Sequence, residues 1–162
     1  MRKLLSILFL LLSSIVSAQI PAESVVAVKA PGQKFQFVHK QTGAPANQLL
    51  WDETDAFVNG FARVFLNNQF SFVNSTGNLI YPTVLEDARR FSNGLAAVKK
   101  DGKWSFLTET GKILFPFAYD IVFDFEGTVS VAFENKKWWL INNTGDAVMP
   151  LDISVCYGFK NG

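Results

Sequence analysis

The sequence has few of the residue types on which catalysis, metal binding and disulfide bonding depend. Among its 162 residues there is one histidine, His39, and one cysteine, Cys156. A lone cysteine cannot form an intramolecular disulfide, and a structural zinc site needs about four His or Cys ligands. A Ser-His-Asp triad could use only His39, and no G-x-S-x-G turn accompanies it. We therefore predict a protein that is not an enzyme, binds no cofactor or metal, and is stabilised by burial rather than by cross-links.

Net charge is scarce as well. The chain has 15 basic and 14 acidic residues, and loss of Arg2 and Lys3 with a leader would lower its formal charge from +1 to −1. Binding to nucleic acid or to an anionic membrane surface usually depends on an excess of positive charge. The balance therefore predicts no nucleic-acid partner.

The first 18 residues have the pattern of a secretory signal peptide. Arg2 and Lys3 precede an apolar run, and Val16 and Ala18 occupy the two small-residue positions of a cleavage site. The apolar run is shorter than the roughly 20 residues of a membrane-spanning helix. We predict removal of residues 1–18, a mature chain that begins at Gln19 and has no transmembrane segment, and a periplasmic or extracellular location.

A repeat of 34 residues organises the rest of the chain. Four columns share this spacing: two aromatic columns, a glycine column and a proline column. Their members are Phe57, Phe91, Phe125 and Phe159; Phe70, Trp104 and Trp138; Gly77, Gly111 and Gly145; and Pro82, Pro116 and Pro150. We predict a degenerate first repeat at 19–56, full repeats at 57–90, 91–124 and 125–158, and the start of a truncated further repeat at 159–162.

The repeat at 91–124 shows the pattern of one unit most clearly. A strand over 95–100 is followed by Asp101-Gly102, a pair typical of a tight hairpin turn, and by a returning strand over 104–107. A second turn contains Gly111, and a third strand over 113–115 ends at Pro116. A unit of this size cannot bury its own core, so its neighbours must complete it. The predicted fold is all-β: tandem 34-residue three-stranded antiparallel β-meander repeats in an open array or partial propeller.

The same unit resembles the WG (KWG) repeat family of bacterial, often exported proteins. The letters NGLAAV at 93–98 and DGKW at 101–104 match a family pattern that pairs a G-x-A-x-V strand with an N/D-G-K-W-G hairpin. The resemblance extends over residues 24–162. The family's glycine after tryptophan is replaced here by Ser71, Ser105 and Trp139. Membership implies a non-catalytic interaction module and supplies no catalytic residues.

Alternation along the strands separates the aromatic residues into two faces. Since side chains alternate, one face is predicted to form the core, with Phe70, Trp104 and Trp138 beside Phe72, Phe106 and Leu140. Trp139 points to the opposite face, which makes it the candidate ligand contact, a platform for a sugar or a partner protein. The alternative is that Trp139 fills a gap, because that face is already apolar at Val73, Leu107 and Ile141.

Three functions remain open. The favoured one is an exported, non-catalytic β-repeat binding or scaffolding module with an unknown protein or glycan partner. The second is a cell-envelope hydrolase, which would need two carboxylates about 5 to 9.5 Å apart. They would lie in the connectors, the segments that join one meander to the next. The candidates for that role are Glu53, Asp55, Glu86, Asp87, Asp120 and Asp124. The third is a purely structural spacer, which is favoured where no exposed apolar patch exists.

Overall fold

A computed structural model describes residues 24–152 of the chain. In this part all the regular structure is β strand. No helical segment in it has the length and hydropathy of a membrane span. The predicted signal peptide, the cleavage before Gln19, the cysteine Cys156 and the further repeat at 159–162 lie outside the described residues.

The strands recur with the period that the sequence predicts. Counterparts begin at 53, 87 and 121, at 61, 95 and 129, and at 69, 103 and 137, so each step is 34 residues. The strands are β1 (Val25–Lys29), β2 (Phe35–His39), β3 (Glu53–Thr54), β4 (Phe61–Leu66), β5 (Gln69–Asn74), β6 (Asp87–Ala88), β7 (Leu95–Lys100), β8 (Lys103–Thr108), β9 (Ile121–Val122), β10 (Val129–Glu134), β11 (Lys137–Asn142) and β12 (Ala147–Leu151).

These strands form separate antiparallel sheets, one for each unit. Sheet 1 is β1-β2, sheet 2 is β3-β4-β5, sheet 3 is β6-β7-β8, and sheet 4 has the order β9-β10-β11-β12. The sheets follow one another in an open array and do not close into a barrel. The predicted all-β fold of tandem 34-residue repeats is therefore confirmed.

The third strand of the predicted meander differs between units. It is complete in sheet 4, where β12 pairs with β11, but in sheets 2 and 3 the corresponding residues make single bridges, Val73 to Leu79 and Leu107 to Ile113. A two-residue strand from the connector (β3, β6 or β9) adds to the opposite edge of sheets 2, 3 and 4. Two residues are too few to show a period, so the sequence could not predict this strand.

The hairpin turns follow their local sequence. Asp101 and Gly102 both have positive φ, 51° and 76°, as a type I′ turn requires. The β1–β2 hairpin has a longer loop, residues 30–34. The hairpin of the degenerate first repeat therefore differs in length from those of the later repeats.

Both faces of the inner sheets are buried. We call face A the side that carries Phe37, Phe72, Phe106 and Leu140, and face B the side that carries Val38, Val73, Leu107 and Ile141. Face A of sheet 3 packs on face B of sheet 4, where Trp104 and Phe106 meet Ala132 and Ile141. Sheets 1 and 2, and sheets 2 and 3, pack in the same way. The core therefore lies between consecutive sheets, and the predicted core positions Trp104 and Phe106 lie in it.

The phenylalanine that opens each repeat contacts the preceding sheet. Its ring meets a face A phenylalanine edge to face, with centroid distances of 5.6, 5.1 and 4.7 Å for the pairs Phe37–Phe57, Phe72–Phe91 and Phe106–Phe125. Such aromatic pairs contribute about 0.5–1.5 kcal/mol beyond their buried area. The three described members of the phenylalanine column thus form contacts between neighbouring repeats.

The glycine column has a second role besides its turn conformation. A Cβ on Gly77 would lie 2.8 Å from the Cβ of Ala46, and one on Gly111 would overlap the carbonyl oxygen of Ile80. A Cβ on Gly145 would overlap the ring of Phe115. In each case the obstructing atoms belong to the preceding repeat. The second turn of one unit therefore lies directly against the third segment of the unit before it, that is, the residues at the position of the third strand of the meander.

Candidate functional site

The connector carboxylates are the predicted candidates for catalysis. In the structure, one set of them binds backbone amides or a lysine of the β-hairpins. The acid that follows Trp51 is Asp52, whose carboxylate accepts a hydrogen bond of 3.0 Å from the backbone N–H of Asn67. At the next repeat Glu86 accepts the backbone N–H of Gly102, also at 3.0 Å. Asp120 instead pairs with the ammonium group of Lys103. These acids join a connector to a neighbouring hairpin.

Asp55 lies at the centre of a second set. Arg63 donates from Nε to Asp55 Oδ2 at 3.0 Å, and Arg90 forms a two-pronged contact with both carboxylate oxygens, each at 3.0 Å. Arg63 also donates to the backbone carbonyl of Ala88. The side chain of Asp55 is 19% exposed. The cluster ties sheet 2 to the connector that enters sheet 3.

The next interface has the same pair with its charges exchanged. Arg89 lies one period after Asp55, and Asp124 lies one period after Arg90. Arg89 Nη1 donates to Asp124 Oδ1 at 3.2 Å, and its guanidinium lies 5.0 Å from the ring centroid of Trp104. Both pairs of consecutive connectors are therefore joined by an ion pair, but the repeat position that carries the acid in one pair carries the base in the other.

The surroundings of Asp55 lower its pKa. The hydrogen bonds from Arg90 stabilise the carboxylate most, and the charges of Arg63 and Arg90 add to this. Partial burial acts in the opposite direction, but it is outweighed. A carboxyl group whose pKa is lowered by folding stabilises the folded state above its unfolded pKa, which is near 3.8. That contribution is lost as the pH falls through the lower pKa of the folded state.

We expect Asp55→Asn to lower the free energy of unfolding by about 1.5–3 kcal/mol at pH 7, the range for a hydrogen bond to a charged group. The loss should shrink as the pH falls below about 4, because protonation removes the same charge from the wild-type protein. Urea unfolding at several pH values measures both effects. Glu53→Gln, at an exposed residue of β3, is the control. A difference between wild type and Asp55→Asn that does not change with pH would contradict the assignment.

Trp139, the candidate ligand contact, is partly buried on face B of sheet 4. It lies opposite Ala132 on β10 and Pro150 on β12, and it packs against the core cluster between sheets 3 and 4. Its counterpart Ser105 is fully buried and donates a hydrogen bond of 2.6 Å to the carbonyl of Phe115. The column thus lies within a repeat interface. This position accords with the gap-filling interpretation, and ligand contact by Trp139 stays a prediction.

The described residues line several surface cavities. Glu53 and Asp55 line the same one, but its volume is about 40 Å³. Larger hollows, of about 310 and 240 Å³, lie beside Trp138 and Pro150 on sheet 4 and beside Val26 and Phe37 on sheet 1. Over residues 24–152 no group of three His, Cys, Asp or Glu side chains is placed to hold a metal ion. The larger hollows thus lie at the two ends of the array.

Comparison with known protein families identifies the repeat. The WG containing repeat family matches residues 70–104 and 105–138. The crystal structure of BamB from Moraxella catarrhalis is similar over 80% of this chain, with 13% sequence identity and a TM-score of 0.43. The chain spans 46% of the length of that structure. No curated protein matches the chain. Residues 70–138 therefore carry repeats of the WG family, and over these residues the resemblance indicated by the motifs is confirmed.

Proposed function

We propose that this protein is an exported, non-catalytic β-repeat module that binds or scaffolds a protein or glycan partner. The observation that carries the proposal is that the acidic residues of the connectors each bind a different partner within the array. Asp52, Glu86, Asp120 and Asp124 each hold a separate cation or backbone amide. Acids placed one after another along an array stabilise its repeats, whereas catalysis requires groups that converge on one reacting bond.

A cell-envelope hydrolase is the alternative that this geometry disfavours. Glu53 and Asp55 share a cavity of about 40 Å³, which is far below the several hundred cubic ångströms of a typical ligand site. Asp55 also borders the hollow of about 240 Å³ on sheet 1, but no second carboxylate is among the described residues that line that hollow. Asp55 is also held by two arginines, and its lowered pKa makes it a poor proton donor near neutral pH. A purely structural spacer is disfavoured by exposed apolar side chains at both ends of the array, such as Val26 and Met149.

Export is the part of the proposal that rests on the leader. Basic residues, an apolar run and a small-residue cleavage site in that order are typical of secreted proteins. A mass for the exported protein that corresponds to a chain starting at Gln19 would support this part. A mass that retains residues 1–18 would contradict it.

We expect Trp139→Ser, which restores the serine of the other repeats, to stay folded and to bind its partner less well. Because the side chain is half-buried, the variant should lose about 2 kcal/mol of stability. Binding that depends on the indole should weaken by about tenfold or more. Co-sedimentation with peptidoglycan sacculi and with solubilised envelope proteins measures binding, and urea unfolding measures stability.

The control for this variant is Val84→Ser, which alters an exposed apolar residue of a connector. It should leave both stability and binding nearly unchanged. If folded Trp139→Ser binds as the wild type does, Trp139 is a packing residue. Failure of the wild-type protein to bind either preparation would contradict the binding role itself.

A further inference from the structure

No described sheet covers face B of the first sheet. On β1 and β2, Val26 pairs with Val38 as Ala62 pairs with Val73 in sheet 2, so Val26 corresponds to a buried face B residue. The face B residues of sheets 2 and 3 are buried by the preceding sheet: Ala62, Val64, Ser71 and Val73; and Ala96, Val98, Ser105 and Leu107. Val26 and Val28 are 42% and 38% exposed. Sheet 1 thus presents an apolar face that is covered at every later repeat.

At the other end of residues 24–152, no described sheet covers face A of sheet 4. Met149 on β12 lies opposite Leu140 on β11, and the two side chains share that face. Met149 is 50% exposed, and Leu140 is only partly buried where its counterpart Phe106 is 1% exposed. Val148 beside them is also exposed. Face A of sheet 4 is therefore the half of a repeat interface that face B of sheet 1 lacks.

The second turns repeat this pattern. Gly77, Gly111 and Gly145 each lie against the preceding repeat. Gly43 occupies the second turn of the first unit with a φ of 68°, and a Cβ there would have no neighbour within 4 Å. Its turn has the conformation of the others but lacks their contact. The matching third-segment residues at the other end, Val148 and Met149, are exposed.

We propose that these two ends bind each other in separate copies of the chain, head to tail. Face A of sheet 4 in one copy packs on face B of sheet 1 in the next, and the Gly43 turn lies over the Val148–Met149 segment. The occupant is a second copy because the contact continues an interface already formed between sheets 1 and 2, 2 and 3, and 3 and 4. Each contact leaves one end free, so assembly continues into a ring or a filament.

Sedimentation velocity of the full purified protein over a range of concentrations tests this proposal. The weight-average mass should rise to at least twice that of one chain as the concentration increases. Met149→Glu and Val26→Glu should each weaken association by about tenfold or more, because each places an unpaired charge in an apolar contact. Val84→Glu, at a residue that is 50% exposed on a connector, should associate like the wild type.

A mixture of the two variants distinguishes this interface from a symmetric one. Met149→Glu keeps an intact face B, and Val26→Glu keeps an intact face A. Together they should form a one-to-one dimer that grows no further. Circular dichroism checks folding, and Val148→Lys and Val28→Lys replace a variant that does not fold. A wild-type protein that stays monomeric, or variants that associate no better mixed than alone, would overturn the proposal.

Discussion

Gly111→Ala is expected to lower the free energy of unfolding by about 3 kcal/mol or more, and its loss has two sources. Gly111 has a φ of 78°, a left-handed conformation that costs a residue with a Cβ about 1–2 kcal/mol. The new Cβ would also overlap the carbonyl oxygen of Ile80. A backbone atom cannot rotate away as a side chain can, so relief requires that two repeats separate. Urea unfolding measures the loss.

Gly102→Ala is the matched control for this effect. Gly102 has nearly the same φ, 76°, but a Cβ there would meet no atom within 4 Å. The control should therefore show only the conformational cost of about 1–2 kcal/mol. The difference between the two variants isolates the contact between repeats. Equal losses would mean that the second turn is not closely packed on the preceding unit.

Trp104→Ala is expected to cost about 3–5 kcal/mol, the range for emptying a buried site of a large aromatic residue. The indole belongs to the cluster between sheets 3 and 4, and Arg89 lies over its ring. Val84→Ala, at an exposed site, should stay within about 0.5 kcal/mol of the wild type. Urea unfolding compares them. A Trp104→Ala loss as small as that of Val84→Ala would contradict a core between the sheets.

Ser105→Ala separates the two faces of sheet 3. From the sequence we expect a cost within about 0.5 kcal/mol, because Ser105 lies on the strand face opposite Trp104. The structure instead buries Ser105 completely and uses its hydroxyl to satisfy the carbonyl of Phe115. Its loss should therefore cost about 1–2 kcal/mol, less than that of Trp104 but more than that of an exposed serine. The alternation of side chains was predicted correctly, but burial of both faces depends on neighbouring sheets.

The repeat and its hairpins could be predicted because they depend on local sequence. Asp101-Gly102 favours a tight turn through its own local conformation. A column such as Phe57, Phe91 and Phe125 defines the period without any coordinates. A column does not tell which atoms its members touch. Gly111 was predicted as a turn glycine, but its contact with Ile80 depends on the stacking of sheets.

The ion pairs between repeats were hidden from the sequence for another reason. Asp55 and Arg89 share a repeat position, yet they have opposite charges, so their column shows no pattern. Each pairs with a residue 35 positions later, Arg90 and Asp124, one residue outside the period. Only the three-dimensional arrangement brings each pair together. The same limit applies to Trp139, whose position on a strand was predicted while the sheet that covers its face was not.

Hydrogen exchange of Gly111→Ala tests most directly whether the contacts between repeats stabilise the array. The substitution alters one turn, and Ile80, which it displaces, belongs to the preceding repeat. If consecutive sheets complete each other's cores, amide protection should fall in β4 and β5 of sheet 2 as well as in β7 and β8 of sheet 3. A loss of protection confined to the turn around Gly111, with both sheets protected as in the wild type, would contradict this account.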